Sequence, residues 1–159
     1  MRFALSLVAV LPLLLFTALS GWATENTPPS LTGLWQTISD IDGKPRGLVQ
    51  ISEKDGLFQA SILRSLVPGE DDLGVCDLCP GARRGQPLKG MLILTGLKQE
   101  RDSEYAGGEI LDPDSGRVYR CQARLEDHGR KLIVRGYIGI SLFGRSQLWL
   151  RAEPPVLSR

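Results

Sequence analysis

Three cysteines and one histidine are the residues best suited to chemistry in this chain of 159 residues, and two of the cysteines form Cys76-Asp77-Leu78-Cys79. A Cys-x-x-Cys pair does redox work when a helix N-terminus or nearby cations lower a thiol pKa. Glu70, Asp71, Asp72 and Asp77 surround this pair and oppose that shift. A zinc site would have to recruit His128, the one imidazole, and no second Cys-x-x-Cys is present. No metal is expected. The remaining reading is a structural bond: one disulfide among Cys76, Cys79 and Cys121, with one thiol left over. A Cys76 to Cys79 bridge would stabilise by ~2 kcal/mol, and a bridge from that loop to Cys121 by ~4 kcal/mol, in the loop-entropy model. The sequence leaves both pairings open.

Other constellations are thinner. Asp112-Pro113-Asp114-Ser115-Gly116 resembles a calcium loop, but the later acidic ligand is missing and a hairpin turn is needed there. No nucleophile elbow, phosphate-binding glycine loop or His-Glu-x-x-His occurs, and a single His deprives hydrolytic triads of their base. With no acid, base and nucleophile set to converge, a non-enzymatic protein without a cofactor is expected. The candidates for contact with a ligand or partner are Trp35, Arg135, Tyr137, Arg145 and Trp149. Against that reading, Arg135 and Arg145 also suit a solvent face, as cross-strand neighbours of acids.

The elements that must carry these residues are strands. Strand signals recur at about 31 to 39, 46 to 52, 57 to 66, 90 to 98, 104 to 111, 117 to 126, 131 to 138 and 144 to 151. Asp42-Gly43, Asp55-Gly56, Asp114-Ser115-Gly116 and Asp127-His128-Gly129 separate them, residue types that accept the positive φ of tight turns. No stretch has a helical period. In 117 to 125, Tyr119, Cys121, Ala123 and Leu125 alternate with a mostly polar set, which points Cys121 inward. Leu132, Val134, Gly136 and Ile138 make a second inward row, with Arg135 and Tyr137 opposite. In the first strand, the Trp35 face and the Leu34, Ile38 face compete. Eight antiparallel strands with short turns predict an all-β, up-and-down barrel, because closure removes the exposed edges. Trp35 and Trp149 would then meet at the seam, with Arg145 or Arg151 available over an indole face. The connection 67 to 89, between strands 3 and 4, breaks the rhythm and is predicted to lie across or beside one mouth.

Residues 1 to 23 read as a cleaved signal peptide. Arg2 precedes an apolar stretch from Phe3 to Leu19, and Gly21-Trp22-Ala23 sets small residues for cleavage between Ala23 and Thr24. Trp22 stands where a lipoprotein box needs Cys, so no lipid is attached there. Removing Arg2, the leader's one charge, takes the net from +1 to zero. A neutral mature chain has no basic excess for nucleic acid. The expected order is leader 1–23, linker 24–30, one barrel domain over 31–152 and a tail of 153–159. The protein is expected in the periplasm or outside the cell, with no stable membrane anchor after cleavage.

Several blocks are similar to a known family: Gly33-Leu34-Trp35, Gly43-Lys44-Pro45, Cys76-x-x-Cys79-x-Gly81, Pro87-Leu88-x-Gly90 and Gly107-Gly108-x-Ile110-x-Asp112-Pro113. Gly116-x-x-Tyr119-x-Cys121 and the run from Val134-Arg135-Gly136-Tyr137-Ile138-Gly139 through Gly144-Arg145-x-Gln147-x-Trp149-x-Arg151 complete the set. Together they resemble the exported bacterial family catalogued as domain of unknown function 2147. The resemblance implies a small envelope protein with a lipocalin-like or streptavidin-like barrel. Two functions follow as expectations. One is a binding module for a small apolar or amphipathic ligand in the barrel, where Ala60, Gly96, Gly107, Gly108 and Ala123 would leave room. The other is a protein-interaction or inhibitor module with a filled barrel and an envelope protein as partner.

Overall fold

The computed structural model describes residues 30–153. The expected leader, its Ala23–Thr24 cleavage site, linker residues 24–29 and tail residues 154–159 lie outside the described residues. Eight strands form one closed barrel in chain order: β1 (Gly33–Ile38), β2 (Pro45–Lys54), β3 (Leu57–Ser65), β4 (Leu92–Arg101), β5 (Glu104–Asp112), β6 (Arg117–Glu126), β7 (Lys131–Tyr137) and β8 (Arg145–Ala152). Every neighbouring pair is antiparallel, and β1 pairs with β8 to close the sheet. This is the up-and-down barrel that the alternation and the turn spacing predict. At the β2–β3 hairpin Asp55 and Gly56 both take positive φ, 54° and 75°, the backbone of a tight turn whose twist matches the strands.

Register decides which residues face inward, and it settles the first strand in favour of Trp35. Trp35 lies opposite Val49 on one side and Arg151 on the other, and Thr37 lies opposite Trp149. Both tryptophans are fully buried, diagonal to each other across the seam. The Trp35 indole N–H donates to the Leu31 carbonyl at 3.0 Å, so its polar edge is satisfied inside the core. Arg151, rather than Arg145, covers it: the guanidinium carbon is 4.2 Å from the ring centroid. Gly33 makes this possible, because a Cβ there would lie 2.9 Å from the Arg151 guanidinium. The spacing in Gly33-Leu34-Trp35 is thus a packing requirement.

Phe58, Leu97, Tyr105, Leu125 and Leu132 continue the buried inward row at this end, with Phe58 and Tyr105 meeting edge to face at 5.3 Å. Ala60 and Ala123 are buried there too, small residues in a row of large ones. The expectation that Gly96 and Gly107 also line the interior is wrong. Both are exposed and take positive φ, 71° and 79°, where β4 slips against β3 and β5 against β6. Gly108 is buried for a different reason: a Cβ would meet the Thr95 carbonyl oxygen at 2.9 Å, so glycine lets the two strands approach. The inward row predicted through Ile138 ends earlier. β7 stops at Tyr137, and Ile138 is exposed in the loop beyond it.

Of the two predicted placements the long connection after β3 takes the one beside a mouth: it packs on the outside of the wall against the β5–β6 turn. Ile93 and Leu94 are consecutive strand residues and both are buried, which requires cover on both faces of β4. On β5, Ile110 pairs with inward Leu94, so buried Leu111 faces outward. The cover comes from the connection. The Cys76 sulfur lies 3.7 Å from the Pro113 carbonyl oxygen, and the Leu78 carbonyl presses so closely on Gly116 that a Cβ there would be 1.8 Å away. Leu73, Leu88, Cys76 and Cys79 join the same apolar cluster as Ile93 and Leu111. The disulfide is Cys76 to Cys79, the short pairing; Cys121 is a buried free thiol on the inward row of β6. Burial pushes the Cys121 thiol pKa up to about 12, so it stays protonated and inert.

Candidate functional site

The two ends of the barrel differ. The end carrying the β2–β3, β4–β5 and β6–β7 turns is plugged by the Trp35 and Trp149 core. The other end carries the β1–β2, β3–β4, β5–β6 and β7–β8 connections, and its inward row opens. Ile110, Tyr119, Gly136 and Gln147 are each half-buried on the inward face, and Arg145, opposite Gly136, is exposed at the rim. Gly136 matters because a Cβ there would already touch Ile110 and Tyr119 at 3.4 Å. We call this partly exposed end of the inward row, where Ile110 and Tyr119 pack around Gly136, the cup.

The rim of the cup is polar. Arg145 makes a two-pronged ion pair with Asp40 of the β1–β2 connection. This hydrogen bond is the main reason that the Arg145 pKa is raised and the Asp40 carboxyl is held below the usual carboxylate range. Asp112 adds a smaller contribution in the same direction at Arg145. Gln147 accepts a 2.7 Å hydrogen bond from the Trp149 indole N–H, which leaves its amide nitrogen free to donate. Asp112 is otherwise occupied as a turn residue, accepting from the Asp114 backbone N–H at 3.1 Å and the Ser115 hydroxyl at 2.6 Å. That is the hairpin reading of 112–116.

The predicted contact residues do not form one cluster. Trp35 and Trp149 are deep in the plugged half. Arg145 belongs to the inward row, so its placement on a solvent face among cross-strand acids is corrected; the cross-strand partner is Gly136. Arg135 and Tyr137 sit on the outer wall. Arg135 donates from Nε to the Ser141 carbonyl at 2.8 Å and from its terminal nitrogens to the Leu142 carbonyl at 3.1 Å and the Ser146 hydroxyl at 2.9 Å, clamping the β7–β8 loop. It also borders an open polar groove of about 420 Å³ on that wall, beside Glu104, Gln122 and Arg124. Sequence reasoning missed Ile110, Tyr119 and Gln147 as cup residues and Asp40 as the partner of Arg145. One signal was present: Arg145, Gln147 and Trp149 lie on one face of a strand, so the inward row runs from polar to apolar before it reaches Arg151.

Among solved structures, protein HP1028 from Helicobacter pylori, described as belonging to the lipocalin family, is similar with a TM-score of 0.68 and 25% identity. The match covers 78% of this chain and 84% of that one. No curated protein matches the sequence. The barrel is therefore lipocalin-like. A family model described as an uncharacterized protein conserved in bacteria matches residues 33–151, from the glycine before Trp35 to the arginine that covers it. The chain belongs to that family, DUF2147.

Proposed function

We propose that this protein is an exported, non-catalytic binding module that holds a short amphipathic molecule in the cup at the open end of its barrel. The observation that carries this reading is the change along the inward row, from fully buried around Trp35 to partly exposed at Ile110, Tyr119, Gly136 and Gln147. The apolar part of the ligand would rest on Ile110 and Tyr119, and its polar group would meet Gln147 and the Arg145–Asp40 pair. The filled lower half limits the length of such a ligand, since a long chain has nowhere to go. The lipocalin-family neighbour lends support by analogy of fold, which argues less than the site itself.

The same filled half favours a second reading, a protein-interaction module, because a barrel of eight strands can be packed solid by its own side chains. Native mass spectrometry of the mature protein, purified gently from its own host, separates the two. We expect a reproducible non-covalent adduct that disappears on denaturation and is absent from Gly136→Val, whose methyl groups would fill the cup. The backbone of Gly136 does not need glycine, but a Cβ there already touches Ile110 and Tyr119, so the variant is expected to lose ~1 to 3 kcal/mol to overpacking, and the adduct is scored on protein that still unfolds cooperatively. A bare mass for the wild type, or an adduct that survives in Gly136→Val, would favour the filled barrel.

A further inference from the structure

The polar groups at the open end have fixed hydrogen-bond directions. Trp149 is fully buried and its indole N–H can only donate, so the 2.7 Å bond to Gln147 holds that amide with its oxygen toward the core. The Gln147 NH2 group then points away from the indole, on a side chain that is only partly buried, and it donates to no acceptor among the described residues. We propose that the cup selects an uncharged headgroup, a hydroxyl, ester or amide whose oxygen accepts from Gln147, and discriminates against a carboxylate on the same alkyl chain. This inference rests on the cup being the binding end and adds the class of molecule that it takes.

Arg145 is the one group at the rim that would suit an anion, and it is already engaged. Its Nε and one terminal nitrogen donate to the two oxygens of Asp40. Asp40 sits in a tight connection, where the Ser39 N–H donates to the Lys44 carbonyl and the Gly43 N–H to the Ser39 carbonyl, each at 2.9 Å. A carboxylate tethered this closely competes at an effective concentration on the order of millimolar or above, which a free ligand has to exceed. The pair is exposed and so adds little to folding; its effect is on what the rim admits.

Charge points the same way. Asp112 acts on Arg145 in addition to Asp40, so two carboxylates already face one guanidinium. An incoming carboxylate would meet an excess of negative charge, and displacing Asp40 would only leave that acid unpaired beside it. A neutral oxygen brings no charge to balance. It can accept from Gln147 and from the Arg145 N–H groups that Asp40 leaves unused.

The test titrates the mature protein with decanol and, separately, sodium decanoate at neutral pH, and follows the amides of Ile110, Tyr119, Gly136 and Gln147. Decanol is expected to bind roughly tenfold or more tighter than decanoate. Asp40→Asn preserves the size of the side chain and frees the Arg145 charge, so decanoate should gain roughly tenfold while decanol moves less than about twofold. Gln147→Glu still accepts from the Trp149 indole but has no N–H to donate, and it should weaken decanol by roughly fivefold or more. Decanoate binding the wild type as tightly as decanol would overturn the headgroup inference while leaving the cup in place. So would an Asp40→Asn variant with no gain for decanoate, or decanol binding that Gln147→Glu leaves intact. No saturable shift at these amides with either probe, in the wild type or in Asp40→Asn, would overturn the cup and this inference with it.

Discussion

Trp35→Ala is expected to lower the free energy of unfolding by ~3 to 5 kcal/mol, the range for truncating a fully buried large aromatic. The side chain is completely buried at the β1–β8 seam, donates its indole N–H to Leu31 and carries Arg151 on its face. Truncation leaves a cavity where the barrel closes, and little around it can collapse, because β1 is held in register by β2 and β8. Urea unfolding followed by circular dichroism reads the change. A loss below about 1 kcal/mol would mean that the seam does not organise the core.

Arg151→Ala is the second large effect, expected at about 2 to 4 kcal/mol. The guanidinium donates to the Thr32 carbonyl at 2.9 Å and to the Ser30 and Gly129 carbonyls, so it joins the residues before β1, the β6–β7 connection and β8. Removing it strands the partly buried Thr32 and Gly129 acceptors at the plugged end and uncovers Trp35. Burial lowers the Arg151 pKa, but an arginine stays charged across the accessible pH range. Arg151→Lys keeps the charge yet cannot present a planar fork to three carbonyls, so it should recover only part of the loss. Recovery to the wild-type unfolding midpoint would show that charge, and not the fork, does the holding.

The barrel could be read from the sequence because each of its causes is local. Tyr119 through Leu125 alternates, Asp55-Gly56 supplies positive φ, and a Trp stands on the first and last strands. The face of β1 was ambiguous because Leu34, Trp35 and Ile38 put apolar residues on both sides, and only the pairing of Trp35 with Arg151 resolves it. The position of the long connection was hidden for a related reason. Alternation reports a wall with one wet face, whereas Ile93-Leu94 and Ile110-Leu111 belong to a wall covered on both faces. Those adjacent apolar pairs were the available signal. The disulfide could not be chosen from spacing, since Cys121 also points inward, though it sits in the core while the Cys76 to Cys79 pair lies on the outer wall. The cup needs four strands and a loop to be placed at once. Asp40 and Arg145 are far apart in the chain, and nothing in either segment announces the other.

The claim that the open end is the binding end is tested most directly by amide chemical-shift mapping of the mature protein titrated with decanoate and, separately, decanol. Saturable shifts at Ile110, Tyr119, Gly136 and Gln147, with Phe58, Leu97 and Leu125 unmoved, are the predicted result. Shifts centred on the plugged end or on the outer wall around Gln122 and Arg124, or no saturable shift with either probe, would contradict it.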